Sequence, residues 1–503
     1  METVQKSKRN IFYGLLGQVA TIVLGILIPR LVIVNYGSEI NGLLNSVGQI
    51  FVYFGLFEAG IGMASTQALF KPVVDNDTDS INGILSATSL FYYKTGTLYL
   101  GAVILLALGY PFLIWGSTSI PYWKIAAIIF FGGAGNCLAF FYQNKYTVLM
   151  SAQGYYYIYT NITTIITVLT SLTKVILLLL GFDVIAVQLS YFIICFLQMG
   201  IYYIYLRKNY SWIDWKAKPN KKAISQKNAT LVHQVASLVF YNTDTLILTI
   251  FTKDLKIVSV YTIYNMVTTM VTQLVGQVSS GINFRMGQLY NSEKEAYIRM
   301  HHICEIVYTT LAFASMTTTY YLLPSFVKLY TAGVTDAVYY SPSYPLLFIL
   351  IPLFTIGRTS LNCVITYAGH FKQTQWSAII ESGINLIVSI VGVIYFGIYG
   401  VLVGSIVSVI YRAIYMLIYS YKNLLHDNPF HTIKRWIMHG ALMLICFLLI
   451  PQSTFQMQSY ISLAVVGMLA AVVSLIYYGI GQALINREEM KNIMGMMKGF
   501  IRR

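Results

Sequence analysis

Ten of the charged side chains within the long apolar stretches of this sequence stand out: Arg30, Glu58, Lys94, Lys174, Asp244, Arg285, Glu305, Arg358, Glu381 and Arg412. They are the residues best placed to do chemistry, because a charge in hydrocarbon is costly and is kept where it pairs, lines a watery cavity or serves a pathway. Six are basic and four acidic. At ~1.5 Å per helical residue, Arg285 and Glu305 lie roughly 7 Å from the cytoplasmic ends of their stretches, and Lys94, Arg358, Glu381 and Arg412 about 10–15 Å. Glu58 and Asp244 fall at roughly 20 Å, near mid-membrane, with Lys174 and Arg30 beyond them toward the outer leaflet.

Such a series reads in two ways. Each base pairs with a carboxylate or with helix carbonyls and locks helices together, or the bases share a cationic, water-filled cavity that accepts an anionic solute. Six bases exceed four acids, so the set as a whole points to the cavity. Its candidate cargo-binding residues are Arg30, Lys94, Arg285, Arg358 and Arg412. A desolvated carboxylate at depth is able to take up a proton or hold a sodium ion, which makes Glu58, Asp244 and Glu381 the candidates for ion coupling. No cofactor is expected beyond that proton or sodium ion, and no metal site.

Local sequence sharpens some of these positions. In LGILIPRLVIVNYG (24–37), Pro29 frees a backbone carbonyl and kinks the helix. Arg30 either snorkels to the nearby interface or turns into the cavity. FGLFEAGIGMAS (54–65) surrounds Glu58 with small residues, which suits a flexing gate helix and also a static close crossing. The tyrosine clusters YYYIY (155–159) and YYIY (202–205) read first as an interfacial aromatic belt, and alternatively as rings that stack on sugars. His301 and His302 read as ordinary interfacial residues.

Nothing here resembles an enzyme site: there is no Walker-type phosphate loop, no His–Glu–x–x–His and no paired-cysteine spacing. The five cysteines all fall in or at the ends of apolar segments and read as packing residues. The net charge of +15 sets topology rather than marking a nucleic-acid partner.

These residues must be positioned by membrane helices. The 503-residue chain is 57% hydrophobic and only 10% charged, against about a quarter charged in soluble domains. Its apolar runs are continuous rather than alternating, which excludes a β-barrel. The first run is too long for a signal-peptide core and reads as the first span. Spans are expected at 11–34, 40–69, 84–114, 122–149, 157–180, 184–206, 229–252, 258–290, 300–323, 342–367, 374–396, 398–420, 434–452 and 459–483: an all-α polytopic membrane protein of about fourteen helices.

Lys6, Lys8 and Arg9, seven bases between Arg207 and Lys227, then Lys422, Lys434 and Arg435, and five bases after the last span all fall on one side. Only Lys124, Lys253, Lys256 and Lys328 fall opposite, so both termini are expected in the cytoplasm. The basic connection 207–228 divides the chain into a lobe of six helices (1–206) and a second lobe (229–420). Two further helices (421–485) and a cytoplasmic amphipathic tail (486–503) follow. QVAT (18–21) and QVAS (234–237) occupy matching places in the first helix of each lobe, as an internal duplication implies.

The opening RNIFYGLLGQVATIVLGILIPRLVIVNYG, followed by INGLLNSVGQIFVYFGLFEAGIGMASTQALF, resembles the oligosaccharide-lipid flippases of bacterial capsule and O-antigen assembly. These form the polysaccharide branch of the multidrug/oligosaccharidyl-lipid/polysaccharide exporter superfamily. The resemblance covers the whole chain in topology, with two pseudo-symmetric six-helix lobes plus two C-terminal helices. It implies an inner-membrane protein that moves undecaprenyl-diphosphate-linked repeat units from the cytoplasmic to the periplasmic leaflet. The lobes would rock around a basic central cavity. The partners implied are the lipid-linked oligosaccharide, membrane lipids, and a polysaccharide polymerase with its chain-length machinery. Arg30 and Glu58 lie within the resembling stretch.

Two relatives compete. A multidrug exporter of the superfamily would have twelve helices and an acidic, cation-accepting cavity. A peptidoglycan-precursor flippase also has fourteen helices and a cationic cavity, but its arginine–aspartate arrangement is missing from span one. A membrane glycosyltransferase or polymerase would carry a larger outer loop than 324–341.

Overall fold

In the computed structural model, residues 2–58, 61–114, 116–214, 217–220 and 228–486 are described. They are helical, with no strand among them. The helices are α1 (Glu2–Phe54), α2 (Ile61–Asp75), α3 (Thr78–Leu113), α4 (Tyr122–Leu138), α5 (Asn144–Ala152), α6 (Tyr156–Leu179), α7 (Val184–Asn209) and α8 (Asn228–Thr252). They continue as α9 (Leu255–Ser292), α10 (Lys294–Tyr330), α11 (Tyr344–Gly357), α12 (Thr359–Tyr367), α13 (Phe371–Phe396), α14 (Ile398–Ser420), α15 (Phe430–Leu449) and α16 (Tyr460–Ile485). Among the described residues, eleven helical segments, some of them joining neighbouring helices such as α11 and α12, are long and apolar enough to cross a bilayer.

The expected spans map onto these helices with informative differences. α1 holds two spans, broken at Gly37, whose φ of 84° is open to glycine at little steric cost. The second span continues through a 3-10 turn, Gly55–Glu58, toward α2. The fourth is α4 and α5 joined by a π-helical turn, Ala139–Gln143, and the tenth is α11 and α12 hinged at Arg358. α3 starts at Thr78 rather than 84, because Asp77 caps it by accepting from the Ser80 amide at 3.0 Å, worth about 1 kcal/mol. α10 runs well past 300–323 at both ends, since hydropathy marks only the hydrocarbon part of a helix.

The chain divides into two compact units: Met1–Leu238 with Leu248–Ser259, and Val239–Ile247 with Val260–Arg503. Lipid is as apolar as leucine, so helices in a bilayer are held by close packing and polar contacts rather than by escape from water. The first unit packs Leu43, Ile128, Ile129, Leu178 and Val184 into one cluster. One of its ends is tied by polar contacts: Ser119 donates to Glu39 through its amide (2.9 Å) and hydroxyl (2.6 Å), and Lys124 pairs with Asp183 at 2.5 Å. Residues 217–220 of the basic connection lie against the start of α3, where the Asn220 amide donates to the Gly83 carbonyl at 2.9 Å. Residues 221–227 and the expected amphipathic tail from 487 onward lie outside the described residues.

In the second unit, α13 and α14 meet backbone to backbone. A Cβ on Gly400 would sit 2.0 Å from the Gly392 carbonyl carbon, and one on Gly404 would sit 2.2 Å from Ser389 Oγ. This small-x-x-x-small pattern sets the approach of the two helices. α15 and α16 are fastened to α10 by a buried polar network. Glu305 accepts from Tyr421 (2.8 Å), Thr432 (2.7 Å) and Arg435 (3.2 Å), and Arg435 Nε donates to Asn486 at 3.1 Å. Thr317 and Tyr478 hydroxyls bond at 2.7 Å on the same helices. Arg435, counted from sequence among the connection residues, is 1% exposed.

Candidate functional site

Two of the helix breaks in the first unit converge on one cavity of about 670 Å³. Gly55 and Glu58 of the 3-10 turn line it, as do Ala139, Phe140 and Tyr142 of the π turn. Departures from α geometry inside a helix cost hydrogen bonds and recur at functional sites. Here Thr95 helps meet that cost, its hydroxyl donating to the Phe57 carbonyl at 3.4 Å.

Glu58 is held by neutral donors. Tyr92 donates to Oε1 at 2.9 Å and Asn144 Nδ2 to Oε2 at 3.1 Å. Lys174, five residues before the end of α6, lines the same cavity. Its Nζ lies 5.1 Å from the centre of the Tyr191 ring. That ring packs on α4 where Gly135 leaves room, since a Cβ there would come within 2.7 Å of Tyr191 Cε1. The Tyr191 hydroxyl donates to Asn136 Oδ1. The remaining polar wall includes Gln198, Thr163, Thr167 and Ser171. A wall of amides, hydroxyls and tyrosines, with one acid and one base among the described residues, suits a hydroxyl-rich solute.

Asp244 occupies a different setting in the second unit. It is 4% exposed, and its Oδ2 accepts from Tyr261 (2.9 Å) and Ser405 (2.6 Å). Asn385 Nδ2 lies 3.4 Å from Oδ1 and donates to Ser405 at 2.8 Å. The glycine contact of α14 on α13 brings Ser405 and Asn385 together. Asn385 Oδ1 is buried without a hydrogen-bond partner. Asp244 borders a cavity of about 250 Å³ whose wall includes Tyr241, Thr268, Thr272 and Thr355.

The other predicted residues fall as follows. Arg358 and Arg412 share one carboxylate: Arg358 Nη1 is 2.5 Å from Glu381 Oε1, and Arg412 Nε is 3.5 Å from Oε2. Arg412 also donates to Ser377 and, at 3.3 Å, to the Thr374 carbonyl. Arg30 is half-buried on α1, and Lys94 is exposed on α3. Arg285 belongs to α9, and its side chain lies outside the described residues. His302 bonds to Asp427 at 2.8 Å, and His301 is 3.5 Å from Glu305. No cluster of three or more histidine, cysteine or acidic residues able to hold a metal occurs among the described residues.

Sequence reasoning missed Asn136, Asn144 and Tyr191 in the first unit, and Tyr261, Asn385 and Ser405 in the second. Two of these amides carried a signal: Asn136 and Asn385 are lone amides in apolar runs, GGAGNCLAFF and SGINLIVSIV.

No protein-family model matches the sequence, and no curated protein matches it. Among solved structures the chain is similar to the lipid II flippase MurJ in an inward closed conformation, with a TM-score of 0.68 and 14% identity. That likeness covers 94% of this chain and 99% of MurJ. An inward-facing multidrug resistance MATE family transporter of the MOP superfamily matches with a TM-score of 0.58 and 13% identity, over 78% of this chain and 93% of that one. A MATE in the bent conformation matches at 0.54 and 13%, over 88% and 99%. At this level of identity the likeness is one of architecture: the chain has the all-helical membrane fold shared by MurJ and the MATE transporters.

Proposed function

We propose that this protein is a flippase that moves undecaprenyl-diphosphate-linked oligosaccharide repeat units across the bacterial inner membrane by alternating access. The units would serve capsule, O-antigen or exopolysaccharide assembly. The observation that carries the reading is the polar cavity of about 670 Å³ at two helix breaks, in a fold that follows a lipid flippase over 94% of the chain. Its only described acid, Glu58, is already bound by two donors, whereas Lys174 faces the space, an arrangement that favours anionic over cationic cargo. The Asp244 site supports ion coupling. A desolvated carboxylate beside an unpartnered amide oxygen supplies hard oxygen ligands for sodium, and a protonatable group for a proton.

Disrupting the gene tests this. Undecaprenyl-linked repeat units should accumulate on the cytoplasmic face. An unchanged lipid-linked pool with altered drug sensitivity would contradict the reading. A second reading, a peptidoglycan-precursor flippase, is favoured by the likeness to MurJ and predicts accumulation of the precursor instead.

A further inference from the structure

Lys174 is a charge of the first unit that no ion pair among the described residues accounts for. A lysine near a helix end ordinarily snorkels along its own helix toward water. Here its ammonium lies over the face of Tyr191, inside the cavity wall. No carboxylate lies within ion-pairing distance of it among the described residues. Glu58, which shares the cavity, has both oxygens engaged by Tyr92 and Asn144. A cation–π contact compensates a buried ammonium only in part, so an anion in the cavity would complete its environment.

The rest of the wall says what kind of anion. No arginine lines the cavity among the described residues, and a pyrophosphate, with several charges on tetrahedral oxygens, is ordinarily met by arginines or several cations. One ammonium matches one monovalent group. Around it stand amides and hydroxyls, including a Thr163 hydroxyl that is buried with no partner. Tyr142 and Tyr159 add aromatic surface. Amides and hydroxyls pair with ring hydroxyls, and aromatic faces take the C–H face of a pyranose.

We propose that the cavity between α4, α6 and the broken second span is a subsite for a carboxylate-bearing sugar of the cargo, with Lys174 meeting the carboxylate. This rests on the flippase reading and deepens it: the repeat unit contains a uronic acid. Tyr191, fixed by Gly135 and Asn136, is a positioning residue that holds the ammonium in the cavity.

The test is equilibrium binding to the purified full-length chain in neutral detergent, read by saturation-transfer NMR. The probes are methyl glucuronide, methyl glucoside and phosphatidylglycerol micelles, the last as a monoanionic headgroup without the acidic ring. Methyl glucuronide should bind at least about tenfold more tightly than the glucoside, the gain of one charge-assisted contact. Lys174→Arg should keep that preference and Lys174→Gln should erase it. Equal binding of the two glycosides to the wild-type chain overturns the proposal, whatever the variants do. So does a preference that survives Lys174→Gln, or displacement of the glucuronide by phosphatidylglycerol at equal concentration. Glycoside binding requires no transport. Equal binding alongside lipid-linked units that accumulate on gene loss therefore removes the subsite alone, whereas an acid preference with an unchanged pool removes the flippase reading.

Discussion

Glu58 and Asp244 are both carboxylates at depth in apolar helices, and both are held by uncharged donors. Their settings nevertheless differ. Glu58 sits in a 3-10 turn where its span is broken, on a wide cavity it shares with a lysine. Asp244 sits within the unbroken helix α8, closed in by Tyr261, Ser405 and Asn385 beside a cavity of about 250 Å³. The first arrangement has room for a solute; the second has room for an ion. A third arrangement, Glu305 with Arg435, has room for neither, since hydroxyls, histidines and the guanidinium surround the carboxylate. What separates these acids is helix continuity and the number of partners, not residue type.

That contrast can be broken at several points. The largest effect belongs to the sealed pair. Arg435→Met leaves Glu305 buried without its cation and should destabilise by about 3–5 kcal/mol, seen as a large drop in the thermal midpoint in detergent. A midpoint close to wild type would mean that α15 and α16 are not held by this network. Next, Gly400→Ala puts a Cβ on the α13 backbone and should cost about 1–3 kcal/mol. Because that contact brings Ser405 to Asn385, any sodium-dependent stabilisation should fall with it. Asp244→Asn should alter stability by less than about 1 kcal/mol, since it removes a desolvated charge and keeps an acceptor, yet it should abolish the ion response. A sodium response that persists in Asp244→Asn would move the coupling site elsewhere.

The smallest effect is outside the spans. Burial pushes the Asp183 carboxyl up, but the Ile185 amide and the Lys124 ammonium outweigh it and hold the carboxyl below its ordinary 3.8. A depressed folded value means the contribution is present above the unfolded value and is lost as pH falls through the lower, folded one. Asp183→Asn should therefore cost about 0.5 kcal/mol at neutral pH, and the difference from wild type should vanish well below pH 3.8. A difference that persists there would assign the effect to the α7 cap rather than to charge.

Much of the architecture was legible because hydropathy reads helices that cross hydrocarbon, and each expected span has a helix. The breaks were less so. FGLFEAGIGMAS marked the stretch around Glu58, where the helix breaks, through its small residues, whereas AFFYQ carries no signal for a π turn. The charge series marked residues to examine but not their pairings. That Arg358 and Arg412 share Glu381 depends on the register of α11 to α14, which a single sequence does not encode in any local pattern. From sequence alone Arg435 reads as a connection residue, because it follows Lys434 at the edge of an apolar run. Its burial comes from Glu305, 130 positions away.

The most direct test of the account is transfer in proteoliposomes. The purified chain should move an undecaprenyl-diphosphate-linked oligosaccharide between leaflets in an ion-gradient-dependent way, scored by access of an added glycosidase to the sugar. Transport of an organic cation with no movement of the lipid-linked oligosaccharide would contradict it.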